Sequence, residues 1–170
     1  MVKVTEAPEN IKFKAETMKE VKRIVAQYPE GNQKSALLRV LHIAQEEFGG
    51  WLSVNTMNYV AEVLKLKPIE VYEVTSFYSM YNLKPVGKYV LEFCHTATCA
   101  TAGVESLIDY TCNKLGIKTG ETTEDKMFTI KEVECLGACG YAPMMQLGKS
   151  YREHLTPEKI DSLIEELRNK

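Results

Sequence analysis

The sequence predicts an α+β protein, with an N-terminal antiparallel helical bundle followed by a small α/β domain. Two observations support this prediction. Apolar residues recur at three- and four-residue steps through the first half, which is the period of an α-helix, whereas β-rich and alternating segments occur in the second half. The character changes around Asn82–Gly87, so we expect a bundle over residues 1–84 and a sheet domain over residues 85–170.

The first half is predicted to contain four helices joined by short polar or glycine-containing connections, as in an antiparallel bundle. Pro29 breaks the first helical pattern, and the Gly49–Gly50 pair ends the second. Ser53 is a suitable N-cap for the third helix, and Pro68 suits the first position of the fourth. The expected helices span Ala15 to Tyr28, about Gln33 to Phe48, Ser53 with apolar residues up to Leu64, and Pro68 to about Tyr78.

The second half is predicted to follow the order β-α-β-β-α. Its strands are β-rich or alternate apolar with polar residues, and each of its helices carries one apolar stripe. Gly116 ends the first of these helices, and Thr156–Pro157 opens the last. The expected elements are strands at 89–93, 128–133, 144–147 and 150–152, a helix over about 102–115, and the final helix.

Charge and composition exclude several classes of function. The chain has 170 residues, with 21 Lys and Arg against 23 Asp and Glu, a formal charge of −2. Without a run of basic residues it lacks the charge pattern of a nucleic-acid-binding protein. No apolar stretch approaches the ~20 residues that a membrane span needs. The first six residues match neither a secretory signal nor a transit peptide, so we expect a soluble intracellular protein without direct membrane insertion.

Cysteine is the unusual residue type in this chain. All five cysteines lie within a window of 46 residues in the second half: Cys94, Cys99, Cys112, Cys135 and Cys139. A disulfide framework is disfavoured because the count is odd and no export signal precedes it. Clustered cysteines in a reducing compartment more often bind metal or carry out redox chemistry, so we expect the function to depend on them.

Four of the cysteines form two pairs, Cys94-x4-Cys99 and Cys135-x3-Cys139, separated by 35 residues. Each pair follows a predicted strand, so both loops are expected at the same end of one sheet. Thiolates are ligands for zinc, copper(I) and iron–sulfur clusters, and this spacing leaves zinc and iron–sulfur equally open. A thiol–disulfide redox site is disfavoured because Cys-x-x-Cys is absent.

The residues within the two loops are small or polar, and Gly137 and Gly140 permit tight backbone paths. Backbone N–H groups that point inward there would donate to sulfur. Cys112, by contrast, lies on the apolar face of a predicted helix, where a free cysteine behaves as a small hydrophobe. We therefore predict four ligands and one core cysteine.

Other motifs are absent or ambiguous. The sequence has neither a G-x-G-x-x-G fingerprint nor a P-loop, which indicates that it lacks its own site for NADH, flavin or nucleotide, and we identify no catalytic residue. The aromatic segment 77–81 fits either a surface that faces a partner or core packing at a helix end.

The cysteine loops read C-H-T-A-T-C at 94–99 and E-C-L-G-A-C-G-Y-A-P at 134–143. They closely resemble those of the thioredoxin-like 2Fe–2S ferredoxin subunits of respiratory complex I, a family that includes the bacterial E subunit and its mitochondrial counterpart. Segments 71–81 and 155–160 are similar to other parts of that family. The resemblance covers most of the chain.

This resemblance implies a thioredoxin-like domain with one 2Fe–2S cluster whose irons are bound by Cys94, Cys99, Cys135 and Cys139. It implies a subunit of an NADH dehydrogenase (quinone) complex, without a complete active site on this chain. FMN and NADH are expected on a partner flavoprotein of the complex I F-subunit type, and the cluster is expected to accept single electrons from that FMN. Further subunits would hold the chain on the cytoplasmic face of the inner membrane.

The helical bundle is the part that we expect to dock onto the flavoprotein. Thioredoxin-like folds often carry a cis-proline where Ala142–Pro143 lies, although a trans bond is the default for the sequence alone.

An equivalent subunit of an NAD-dependent formate dehydrogenase or an NAD-linked hydrogenase is an alternative function within the same class. An interaction module stabilised by zinc on the four cysteines is the alternative from a different class.

Overall fold

The computed structural model describes residues 11–170. The prediction about an export signal concerns the first six residues and lies outside this range. The chain divides into two compact units, one that ends at Pro85 and one that begins at Val86. Within residues 11–170, no helix is both long and apolar enough to span a membrane.

The first unit is helical, as predicted. Ser53 accepts a hydrogen bond from the Thr56 N–H at 3.1 Å and so caps the third helix, and Pro68 occupies the first turn of the fourth. Its elements are α1 (Ala15–Val25), a 3₁₀ helix (Gln33–Ala36), α2 (Leu37–Glu47), α3 (Val54–Leu64) and α4 (Pro68–Phe77).

Two of these boundaries differ from the predicted ones. Helix α1 ends at Val25 rather than Tyr28, because the Gln27 and Tyr28 N–H groups donate to carbonyls three residues back in a tighter turn. Pro29 also disfavours the α conformation at Tyr28. The second predicted helix begins as a 3₁₀ turn, so α2 starts at Leu37.

A core of its own fills the helical unit. The Phe13 and Phe48 rings stack at 5.4 Å between centroids beside the apolar faces of the helices. Helices α2 and α3 bury their predicted apolar stripes, whereas α1 buries Val21 and Ile24 and the predicted Tyr28 is exposed. Its fully buried aliphatic residues include Val21, Leu37, Val40, Leu41, Leu52, Val60, Leu64 and Val71.

The second unit contains a four-stranded sheet with the order β2-β1-β3-β4. The central strand β1 runs parallel to β2 and antiparallel to β3, and β4 pairs antiparallel with β3 at the edge. The predicted β-α-β-β-α order is confirmed, with two short additions. The elements are β1 (Tyr89–Cys94), α5 (Ala97–Thr101), α6 (Val104–Leu115), β2 (Phe128–Val133), a 3₁₀ helix (Cys139–Tyr141), β3 (Met145–Leu147), β4 (Ser150–Arg152) and α7 (Pro157–Arg168).

The sheet core lies between one face of the strands and the apolar stripes of α6 and α7. Thr156 caps α7 by accepting a hydrogen bond from the Lys159 N–H at 3.3 Å. The largest fully buried side chains of this unit are Leu91, Phe93, Phe128, Ile130, Met144, Met145 and Ile160.

Both edges of the sheet offer little backbone for pairing with a further strand. Residues 120–123 run along the outer side of β2, where the Gly120 N–H donates to the Ile130 carbonyl at 2.8 Å and the Thr123 N–H donates to the Phe128 carbonyl at 2.8 Å. At the other edge, β4 is only three residues long.

The additions lie in the predicted cysteine loops. Helix α5 and the 3₁₀ helix at Cys139–Tyr141 are both too short to show a periodic pattern in the sequence. Helix α6 begins at Val104 rather than Ala102, because Gly103 adopts a positive φ of 87° between the two helices. The Ala142–Pro143 bond is cis, as the resemblance implied, so the default expectation of a trans bond is wrong.

Candidate functional site

The two cysteine pairs leave the sheet at the same end. Cys94 is the last residue of β1, and Cys135 lies two residues after the end of β2. These strands are parallel neighbours, and Cys94 pairs in register with Val133. The expectation that both loops share one end of the sheet is therefore confirmed.

The two pairs differ in exposure. Cys94 and Cys99 are only 3% and 2% exposed, because β1 is the inner strand and the short helix α5 turns Cys99 back toward the core. Cys135 and Cys139 are exposed. All four are free thiols. The candidate site thus has one side inside the protein and one side at its surface.

Hydrogen bonds favour the ionised form of the Cys94 sulfur. Burial acts to raise the pKa of this thiol, but hydrogen bonds from the Thr96 hydroxyl and from the Thr96 and Leu136 N–H groups outweigh it. The pKa of Cys94 therefore lies below its ordinary value. The Sγ of Cys94 and the Oγ1 of Thr96 are 3.4 Å apart.

Cys99 behaves in the opposite way. Burial and the hydrogen bond that it shares with Cys94 raise the pKa of its thiol, and the nearby Cys139 adds a smaller effect in the same direction. The hydrogen bond between the two thiols therefore acts in opposite directions on them, lowering the pKa of Cys94 and raising the pKa of Cys99. Three of the four predicted site residues are thus close enough to influence one another.

The fourth, Cys135, is held by its own loop. Its Sγ accepts a hydrogen bond from the Gly137 N–H at 3.4 Å. Gly137 adopts a positive φ of 74°, which a glycine tolerates without strain. Leu136 lies between them, and its carbonyl oxygen accepts a hydrogen bond from the Tyr151 hydroxyl at 2.7 Å.

The four sulfurs do not converge on a single point. Among residues 11–170, no three His, Cys, Asp or Glu side chains are grouped closely enough to hold one metal ion. A tetrahedral zinc site needs all four sulfurs about 2.3 Å from one ion. A 2Fe–2S core takes four thiolates shared between two irons, and the chain supplies four cysteines in two sequence pairs.

The donor chemistry also fits an iron–sulfur group. The site offers four thiols, and backbone N–H groups of Leu136 and Gly137 point at two of the sulfurs. A protein binds a cluster through thiolates and tunes its reduction potential through such N–H···S hydrogen bonds. His95, next to Cys94, is exposed, and its backbone N–H donates to the Val133 carbonyl at 3.2 Å.

Cys112 lies apart from the other cysteines, more than two turns into α6. Its Sγ is 3.9 Å from the Thr119 hydroxyl, and its side chain packs against the sheet core while remaining partly accessible. Cys112 therefore lies at the margin of the core, half-buried, as expected for a core residue rather than a ligand.

Sequence reasoning missed Thr96 and Tyr151. The threonine lies two residues after Cys94, a spacing at which a hydroxyl meets a neighbouring group. Tyr151 reaches its partner Leu136 from 15 residues away. Nothing local in the sequence indicates that contact.

Comparison with known proteins gives consistent results. The sequence model of the thioredoxin-like 2Fe–2S ferredoxin family matches residues 21–168. The E subunit of NADH-quinone oxidoreductase from Rickettsia felis is 44% identical over 160 residues, which is 94% of this chain and 96% of that protein. The protein of the same name from Rickettsia bellii is 42% identical over the same shares.

A similar solved structure is the NAD+-reducing NiFe hydrogenase in its air-oxidised state. It is 25% identical, with a TM-score of 0.68 over 79% of this chain and 23% of the hydrogenase chain. The matched part is therefore a minor segment of a much longer polypeptide.

Proposed function

Since this chain belongs to the thioredoxin-like 2Fe–2S ferredoxin family, we propose that it is the electron-transfer subunit of an NADH-quinone oxidoreductase. We propose further that Cys94, Cys99, Cys135 and Cys139 hold one 2Fe–2S cluster. The observation that carries this proposal is the arrangement of two cysteine pairs at one end of the parallel strands β1 and β2.

Bound there, the cluster would supply one-electron redox chemistry, at a potential set by its surroundings. The chain's own residues prepare the site for it. The Thr96 hydroxyl and the Leu136 N–H stabilise negative charge on Cys94, and the Gly137 N–H does so on Cys135. The buried side at Cys94 and Cys99 excludes water, whereas the side at Cys135 and Cys139 is accessible.

The accessible side is the one that we assign to the electron donor. FMN and NADH would lie on a partner flavoprotein subunit, and single electrons would pass from the flavin to this chain. The absence of a dinucleotide fingerprint and of a P-loop in this sequence supports that division of labour. The assembled complex would hold the chain at the cytoplasmic face of the inner membrane.

The helical unit is the part that we propose docks onto the partner. The segment 77–81, for which the sequence allowed a surface or a core role, is buried at Tyr81 and exposed at Phe77, Tyr78 and Met80. Tyr81 is buried, and its hydroxyl donates to the Leu38 carbonyl at 2.9 Å. Phe77 is 79% exposed, and Tyr78 and Met80 are exposed as well. Large apolar side chains in water at one end of α4 are typical of an interaction surface.

Metal analysis of purified protein tests the cluster. We expect a brown protein with iron and sulfide in equal amounts, charge-transfer absorption and an EPR signal after reduction. A Ser substitution at Cys94, Cys99, Cys135 or Cys139 should weaken or abolish these signals, because each removes one thiolate. Cys112→Ser is the matched control and should retain the full cluster content.

A colourless protein that contains one zinc ion per chain would overturn the proposal. It would support the alternative of a four-cysteine zinc module that joins the two loops without redox activity.

The similarity to an NAD+-reducing hydrogenase favours a second candidate of the same class, a subunit of an NAD-linked hydrogenase. An NAD-dependent formate dehydrogenase is a related candidate. Subunits that co-purify with the native protein distinguish the three complexes, because only a hydrogenase would bring a nickel-containing subunit.

A further inference from the structure

Tyr151 connects the edge of the sheet to the second cysteine loop. It lies on β4, where it pairs in register with Gln146 of β3. Its hydroxyl donates to the Leu136 carbonyl at 2.7 Å, a short and well-formed hydrogen bond. A side chain on a paired strand thereby holds the backbone between Cys135 and Cys139.

The peptide group that Tyr151 holds is the same one that donates to Cys135. The Leu136 carbonyl and the Gly137 N–H belong to a single amide, and that N–H points to the Cys135 Sγ at 3.4 Å. Consecutive hydrogen bonds polarise one another, so a hydrogen bond accepted by the carbonyl strengthens the one donated by the N–H of the same amide. The hydroxyl, the amide and the sulfur form one relay.

Burial contributes little to holding this loop. Cys135, Gly137 and Cys139 are all exposed, and Leu136 is only partly buried against the core. The Gly137 backbone adopts a positive φ, and glycine is the residue least restricted to any one conformation. A specific hydrogen bond from a paired strand is therefore important for keeping the Gly137 N–H directed at sulfur.

We propose that Tyr151 is a positioning residue for Cys135, which fixes and polarises the Leu136–Gly137 amide and thereby raises the reduction potential of the centre. The proposal rests on the proposed function, because it takes Cys135 as a cluster ligand. An N–H···S hydrogen bond stabilises the more negative, reduced form. Loss of the Tyr151 hydroxyl should weaken that bond and lower the potential.

The test compares Tyr151→Phe with Tyr141→Phe in the full-length protein. Both variants remove one hydroxyl from a tyrosine of similar exposure beside the second loop, 44% for Tyr151 and 51% for Tyr141. Only Tyr151 makes the contact with Leu136. The midpoint potential is measured by potentiometric titration followed by EPR, together with iron content and the rate of iron release to a chelator.

We expect a more negative midpoint potential and faster iron release for Y151F than for the wild type and Y141F. A midpoint potential in Y151F equal to that of Y141F, with full iron content, would overturn the role of Tyr151. A wild-type protein without any 2Fe–2S signal would instead overturn the proposed function, so the two failures are distinguishable.

A second measurement covers a variant that holds too little cluster to titrate. Hydrogen exchange at the Gly137 amide in the cluster-free protein reports the same relay. Faster exchange in Y151F than in Y141F supports the proposal, and equal exchange contradicts it.

Discussion

Gly87 precedes β1 at a point where the backbone of β2 comes close. A Cβ at this position would lie 2.8 Å from the Phe128 nitrogen and 2.9 Å from the Met127 carbonyl carbon. The Gly87 N–H also donates to the Thr129 hydroxyl at 2.7 Å. Backbone atoms cannot rotate away as a side chain can, so only a hydrogen fits here.

We therefore predict that Gly87→Ala destabilises the protein by about 1–3 kcal/mol, the usual cost of overpacking a close contact. Urea denaturation of the cluster-free protein provides the measurement. Gly140→Ala is the control, because a Cβ there meets no atom within 4 Å and the backbone is not left-handed. Equal midpoints for the two variants would contradict the prediction.

For single residues, the sequence indicates the candidate ligands better than the groups around them. The cysteines are recognisable because a metal site requires one residue type at short spacings. The groups next to their sulfurs are the Thr96 hydroxyl and backbone amides, which every residue except proline possesses. The contact of Tyr151 with Leu136 depends on the tertiary fold. Such groups carry no sequence signature of their own.

Among the elements, α6 and α7 are joined by a polar contact at the surface. The Tyr110 hydroxyl lies 2.8 and 2.9 Å from the two carboxylate oxygens of Asp161, and Lys114 Nζ is 2.7 Å from Oδ1. The hydrogen bonds from Lys114 and then Tyr110 hold the pKa of Asp161 below its usual value. Asp161 therefore favours the folded state when it is ionised.

The stability that Asp161 supplies should be fully present above the ordinary Asp pKa of about 3.9 and be lost as the pH falls through its lower, folded-state pKa. We predict that Asp161→Asn is less stable than the wild type at pH 7 and that the difference shrinks toward about pH 2. Urea midpoints across this range provide the measurement. A difference that stays constant with pH would assign the effect of Asp161 to packing rather than to its charge.

A second pair of charges links β1 and β2. Glu92 and Lys131 are paired in register and are largely buried, with Lys131 Nζ 3.8 Å from the Glu92 carboxylate. Burial raises the pKa of Glu92 and lowers the pKa of Lys131, in each case against the attraction between the two. Burial therefore opposes the ionised form of each group, and the attraction between the two offsets it only in part.

Lys131→Met should cost about 3 kcal/mol, because it removes the cation beside a buried carboxylate. The double variant Glu92→Leu/Lys131→Met should recover most of that loss, since neither charge then remains. A double-mutant cycle by urea denaturation measures both. A double variant no more stable than Lys131→Met would show that the loss does not come from an uncompensated buried carboxylate.

Periodicity determined which elements could be predicted. Helices of ten residues or more and the six-residue strands β1 and β2 were found with small errors at their ends, because each is long enough to show its own pattern. The three-residue strands β3 and β4 were found from the turn at 148–150 between them. Helix α5 and both 3₁₀ helices are one turn or little more, so their residues read as loop or as part of a longer helix.

For the molecule as a whole, the separate cores of the two units predict that each is stable alone. We expect a fragment of residues 86–170 to unfold cooperatively and to bind iron and sulfide like the full chain. Circular dichroism and iron analysis provide the measurements. An unfolded fragment would show that the sheet unit depends on the helical one.

The same fragment tests the docking proposal. Without the helical unit, it should no longer co-purify with the flavoprotein partner.

In the full chain, Phe77→Asp should weaken the association with the flavoprotein partner, because it places a charge where an apolar contact is proposed. Tyr28→Asp serves as the control, since Tyr28 is also exposed in the helical unit but lies after α1. Association that survives the loss of residues 1–85 would exclude docking through the helices.

The edges of the sheet restrict how any partner approaches the second unit. Residues 120–123 already form hydrogen bonds with outward-facing backbone groups of β2, and at the other edge β4 is a strand of only three residues. An incoming extended segment would find almost no free backbone ladder to join. Recognition by strand addition is therefore disfavoured at both edges, and so is the stacking of one copy on another through exposed strands. Partners of this unit must recognise side chains and surface shape.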